Sequence, residues 1–171
     1  MEILAITERL LLRNWSEKDI DPYACIVSDP EVMKYIGDGK PRTREYAEKY
    51  VREMMAHQDG RGWMRFAVEH RETGELMGFC GFEVDGNAQD FGWRYARKFW
   101  GAGYGGEAAL AALELGRERF GLTGIESKSF SENVGSVKIF DKLGMSFLRE
   151  SFVDGRHVVH YGYPSDLIAE G

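Results

Sequence analysis

Across its 171 residues the chain has two cysteines and four prolines, and it contains no apolar run near the ~20 residues of a membrane-spanning helix. Cys25 and Cys80 sit in apolar stretches without metal-type spacing, which excludes a disulfide framework and reads as two reduced core thiols. His57, His70, His157 and His160 lack cysteine or carboxylate partners at ligand spacing, so no metal site is expected. A basic-then-apolar leader is missing from the N-terminus, making the cytoplasm the expected location and a membrane partner unexpected. Basic residues are not in excess either: the net charge of −6 argues against a nucleic-acid binder, which needs a cationic face to displace counterions. It favours a cationic acceptor slightly, although solubility explains a modest acidic excess better. Repeats, linkers and low-complexity segments are also lacking, so 1–171 reads as a single domain. A chain near 150 residues already buries about 70% of its extended surface.

Glycine, by contrast, is concentrated where it matters. Gly101, Gly103, Gly105 and Gly106 fall within six residues, interleaved with Ala102 and Tyr104, and give way to the strong helix former Glu107-Ala108-Ala109-Leu110. A glycine loop opening a helix makes an anion cradle, because free backbone N–H groups and the positive end of the helix dipole converge there. Gly101, Gly103 and Gly106 also satisfy G-x-G-x-x-G, with Glu126 twenty residues on, as in a dinucleotide-binding unit. That fit is poor, since five residues separate the expected strand 91–95 from Gly101 and about 90 residues come first.

Apolar patterning places strands over 10–12, 66–69, 76–84, 91–95, 125–130, 147–153 and 157–163. Helices are expected from Ser16 to about 27, briefly after Asp29-Pro30, and over 43–58, 105–120 and 134–143. Hairpin turns are expected at Asp85-Gly86-Asn87 and Asp154-Gly155. An antiparallel meander that gives way to a β-α-β crossover is a mixed α/β (α+β) sheet, with a helix N-terminus beside a strand's C-terminal end.

Phe91-Gly92-Trp93-Arg94-Tyr95, the W-G-x-G-Y loop and the segment from Asn133 to Met145 together resemble the GNAT superfamily of N-acetyltransferases. Thr7 to Arg13, Ser28 to Met33 and Gly74 to Gly81 resemble its branch of ribosomal-protein N-terminal acetyltransferases, and the likeness covers roughly 6–163. The resemblance implies a mostly antiparallel sheet of six or seven strands with about four helices, whose splayed strand pair holds the coenzyme. It implies acetyl-CoA as cosubstrate, a protein N-terminus or small-molecule amine as acceptor, direct attack in a ternary complex, and compatibility with a homodimer.

Carried onto this chain, the resemblance makes Arg94, Tyr95 and Ala96 present backbone to the pantetheine arm, and gives the pyrophosphate to the amides of Gly101, Ala102, Gly103, Tyr104, Gly105 and Gly106. Trp100 and Gly106 depart from the glutamine or arginine and the threonine common at those positions, which a cradle of backbone N–H groups tolerates. Asn133 matches an asparagine that contacts the pantetheine arm, and also suits a helix N-cap. On the same resemblance Lys138, Lys142, Arg97 and Lys98 could reach the ribose 3′-phosphate, or are simply solvated surface cations.

The amine must lose its proton before it attacks. At pH 7 that takes about 1 kcal/mol for an α-amine and roughly 4.6 kcal/mol for a lysine-type amine. Asp90 matches the position of a proton-drawing glutamate, and Glu83 is a second candidate. Phe140 stands where many members of the resembled family carry a tyrosine acid, and Ser136 matches the serine that some members of the branch use to protonate the departing thiolate, or is a small residue that lets the helix approach the coenzyme. Two other readings stay open on sequence: a non-catalytic acyl-CoA-binding or regulatory module, and a dinucleotide-binding oxidoreductase.

Overall fold

The computed structural model describes residues 1–168. One twisted sheet of eight strands runs β1 (Ile3–Ile6), β2 (Leu10–Arg13), β3 (Arg65–His70), β4 (Leu76–Asp85), β5 (Ala88–Tyr95), β6 (Ile125–Phe130), β8 (Arg156–Gly162) and β7 (Ser146–Val153) in spatial order. Every neighbouring pair is antiparallel except β5 with β6. Six helices are described: α1 (Ile20–Val27), α2 (Pro30–Met33), α3 (Arg44–Gly60), α4 (Tyr104–Glu118), α5 (Val134–Lys142) and α6 (Pro164–Ile168).

These counts correct the expected six or seven strands and about four helices. The additional strand, β1, is four residues long with Ile3 and Ile6 exposed, so it carries no alternation to detect; it is held by pairing with β2. Ser16 opens a 3-10 turn (Glu17–Asp19), its N–H donating to Asp19 Oδ2 at 2.9 Å, and α1 starts only at Ile20.

Strand alternation sends Phe79 and Arg94 to one face of the sheet and Phe82, Phe91 and Trp93 to the other. On the first face, Tyr23 of α1 and Tyr50 of α3 pack around Phe79 at 6.4 and 5.5 Å between centroids. On the second, Phe82 stacks on Phe91 at 4.6 Å and Trp93 meets Phe140 of α5 at 5.6 Å. Cys80 is fully buried. Cys25 is exposed, against the expectation of two core thiols: it lies on the solvent side of α1, where a single small side chain gives no periodicity to read.

Candidate active site

β5 and β6 run side by side only at Gln89–Ile125 and Asp90–Glu126, after which the ladder stops. At the end of the ladder the buried Ser127 hydroxyl donates to the Phe91 carbonyl at 2.6 Å, supplying from a side chain the bond the next rung would have made. The register with β4, together with Ala96 N–H bonding Met77 carbonyl at 2.8 Å, turns the backbone of Arg94 and Ala96 toward β4. The alternate residues Trp93 and Tyr95 therefore face the gap. Of the three residues expected there, Tyr95 offers backbone to the gap, its carbonyl accepting from the Trp100 indole at 3.0 Å; Arg94 and Ala96 do not.

A 3-10 turn (Arg97–Phe99) carries the chain from β5 to the glycine loop. Gly101 and Gly103 hold φ of +78° and +83°, left-handed conformations that let the loop fold back and start α4 at Tyr104. A Cβ at Gly101 would meet nothing within 4 Å, so the rim of the cradle is open. Gly105 is closed in from behind, where a Cβ would come within 3.0 Å of Ile139 Cδ1. The Lys142 side chain lies across Gly106, with Cδ 2.7 Å and Nζ 2.9 Å from the position a Cβ would take, so an amine lies against the start of α4.

The loop is braced from the N-terminal strands. Glu107 accepts from Thr7 Oγ1 at 2.6 Å, Arg9 N–H at 2.9 Å and Arg9 Nε at 2.7 Å, while Arg9 Nη1 donates to the Ala102 carbonyl at 2.9 Å. Burial works against ionisation of Glu107, but the bonds from Thr7 and Arg9 outweigh it and hold the carboxyl below its usual range. This brace is absent from the sequence reading, since no local signal links residues 98 positions apart.

Asn133 begins α5 without using its side chain as a cap, so the N-cap reading does not account for it. Ser136 accepts from the Trp93 indole at 3.3 Å, which stands it over the gap-facing strand with its own hydroxyl proton free to donate. Asp90 Oδ2 is held by Arg65 Nη2 at 2.5 Å, and Glu83 by Arg61 at 2.7 Å. A cleft of about 180 Å³ opens beside Asp90, with Glu126, Ser127 and His160 in its wall. Burial, then the charges of Arg149 and Lys128, push the His160 imidazole below its usual value, and its Nε2 lies 2.8 Å from Ser151 Oγ. Burial drives the Cys80 thiol up to about 12, so it is no nucleophile at neutral pH. Among the described residues no group of three or more His, Cys, Asp or Glu is arranged to hold a metal, and no helix is long and apolar enough to cross a membrane.

A glycine cradle at a helix start, set beside a parallel strand pair that parts after two rungs, has a counterpart in known proteins. Residues 9–146 match the family described as the acetyltransferase (GNAT) domain. The chain belongs to the GNAT acetyltransferases. Among relatives of this GNAT chain, it is 32% identical over 151 residues to the uncharacterized N-acetyltransferase p20 of Bacillus licheniformis, covering 86% of this chain and 83% of that protein. It is also 32% identical to the uncharacterized N-acetyltransferase YnaD of Bacillus subtilis, covering 85% and 83%. A GNAT-family acetyltransferase from Bacillus anthracis superposes with a TM-score of 0.81 at 27% identity, over 94% of this chain and 96% of that one. The ribosomal L7/L12 α-N-protein acetyltransferase RimL, solved with coenzyme A, shares the fold with a TM-score of 0.79 at 16% identity, over 94% and 96%. The dinucleotide reading falls with this GNAT assignment. Glu126, its supposed ribose ligand, lies on β6 and is paired with Arg149 at 2.7 Å.

Proposed function

We propose that the protein transfers the acetyl group of acetyl-CoA directly to an amine, with both substrates bound together. The observation that carries this is the union of an open glycine cradle with a strand gap whose edge, at Trp93 and Tyr95, offers unladdered backbone to an extended chain such as pantetheine. The residues fit the coenzyme. Amides of Tyr104, Gly105 and Gly106 at the start of α4 would take the pyrophosphate, and Lys142, lying across Gly106, would add positive charge. On the family pattern Asn133, at the start of α5, would meet the pantetheine amide.

Catalysis on this reading is mostly positioning, with a backbone N–H of the splayed strand polarising the thioester carbonyl. Arg65 grips only one oxygen of Asp90, leaving Oδ1 to draw the amine proton through water. Ser136 donates to the departing thiolate. A coenzyme A thiolate, with an ordinary thiol pKa near 8.5, leaves readily in any case. Neither cysteine takes part.

The ion pairs on Asp90 and Glu83 also favour a second reading, a coenzyme-binding module without turnover, because an arginine already occupies an oxygen of each carboxylate. Calorimetry with acetyl-CoA and with NAD, followed by thiol release over a panel of amines, separates the two. Binding of acetyl-CoA with amine-dependent thiol release is the expected result. Binding without release from any amine favours the module, and no binding of acetyl-CoA refutes both.

A further inference from the structure

Under α1 and α3 the buried guanidinium of Arg94 and the half-buried one of Arg65 are short of anions. Arg94 is 8% exposed, and its Nη1 donates to the Tyr23 hydroxyl at 2.7 Å, but its Nε has no partner. Arg65 reaches Asp90, and its Nε is likewise unpartnered, as is the hydroxyl of Tyr50 beside them. The three orphaned groups ring one side chain: the guanidinium carbons of Arg65 and Arg94 lie 5.3 and 5.2 Å from the Phe79 ring centroid, and the Tyr50 ring 5.5 Å from it.

The same chain shows what a satisfied buried arginine looks like. Arg13, 2% exposed, bonds both oxygens of Asp19 at 2.8 and 2.9 Å and Glu69 at 2.6 Å. Here Arg65 has the carboxylate of Asp90, whereas Arg94 bonds no carboxylate among the described residues, and a buried unpaired charge is unfavourable by several kcal/mol. The missing partner is an anion. A carboxylate matches the fork of a guanidinium with two parallel hydrogen bonds, and Tyr50 supplies a third donor. The cluster also lies where an acceptor would be held: Arg94 is the neighbour of the gap-facing Trp93 and Tyr95, and Arg65 grips the carboxylate that faces the amine.

We propose that the acceptor is a small amine carrying an oxyanion, foremost a carboxylate, held between Arg94 and Arg65 beside Tyr50. This rests on the acetyl-transfer reading above and overrides the slight preference for a cationic acceptor drawn from net charge. The anion neutralises the surplus guanidinium while Asp90 takes the proton from the amine end of the same molecule.

The test uses matched pairs with acetyl-CoA: α-amino acids against their carboxamides, and 2-aminoethyl phosphate against 2-aminoethanol. The charged member of at least one pair is expected to win by about tenfold or more in kcat/KM, because an uncharged analogue leaves buried donors unpaired. A win confined to the phosphate pair names the oxyanion as phosphate. In Arg94→Met the preference collapses through KM while coenzyme A affinity holds; a merely structural arginine would lower stability and leave the preference for the charged amine unchanged. Arg94→Lys serves if the methionine variant does not fold. Calorimetry with N-acetylglycine on the coenzyme A complex reads the anion site without turnover. Saturable binding abolished by the Arg94 variant supports the site even if no amine is acetylated, an outcome that sinks the transfer reading alone. Neutral and charged amines used equally, or N-acetylglycine failing to bind where no amine turns over, overturns the proposal.

Discussion

Replacing Gly103 by glutamate tests the cradle most directly. The residue holds φ +83° at the N-cap of α4, so any side chain meets left-handed strain of about 1–2 kcal/mol. Space is not the obstacle, since a Cβ there would lie 3.6 Å from Arg9 Nη2, the far end of a side chain. Strain of that size lowers the melting temperature by about 2–8 °C in a domain of this length and leaves the fold intact. The charge acts separately. A carboxylate about 6 Å from a pyrophosphate of about two charges, at an effective dielectric near 40, opposes binding by about 3 kcal/mol. That corresponds to a rise of about 100-fold in the dissociation constant. Gly103→Ala carries the same backbone strain without charge, so it should lose stability equally and bind coenzyme A within about threefold of the parent. Calorimetry on both variants at low salt gives the comparison. If the glutamate variant bound coenzyme A as well as the alanine variant, the pyrophosphate would not lie at this helix start.

Gly116→Ala should destabilise the protein by about 1–3 kcal/mol in spite of the better helix former, because its Cβ would stand 2.6 Å from ring carbons of the fully buried Phe82. The check is a lower urea midpoint at unchanged slope. Glu107 has a folded pKa below its usual 4.5, so its contribution to stability is full above that value and disappears as pH falls through the folded pKa. Glu107→Gln should therefore lower the melting temperature at pH 7, and the difference from the parent should shrink as the solution is acidified below 4.5. Asp90→Asn should lower kcat/KM by about 100-fold and Ser136→Ala kcat by about tenfold, both with unchanged coenzyme A affinity in calorimetry. A loss of affinity in either variant would move that residue from the proton path to the coenzyme site.

Local chemistry was the legible part of the sequence. Asp154-Gly155 announces its hairpin because a two-residue turn needs positive φ at both positions, and the chain adopts +50° and +76° there. The glycine loop is equally plain, since nothing but a tight turn against a ligand or neighbour calls for so many glycines before a good helix. What could not be read depends on pairing over distance. Arg94 looked like a supplier of backbone to the gap, but the β4 register gives that role to Trp93 and Tyr95 and turns its side chain into the core under α1 and α3. Arg65 and Arg94 are 29 residues apart, and only the sheet makes them neighbours around Phe79. Lys142 read as one of four cations that either reach the ribose 3′-phosphate or are simply solvated, and its place across Gly106 follows from how α5 docks on α4.

The brace between Glu107 and Thr7–Arg9 bears on the order in which the molecule assembles. Its bonds span 98 to 100 residues, so the loop cannot be fixed until the N-terminal strands have closed against α4. Contacts of such long sequence separation form late, after the local helices and hairpins, because their loop-closure entropy is met only once the intervening chain has condensed. The glycine loop is thus among the last parts of the fold to acquire its shape, and a coenzyme bound there would stabilise the finished protein without guiding the route to it.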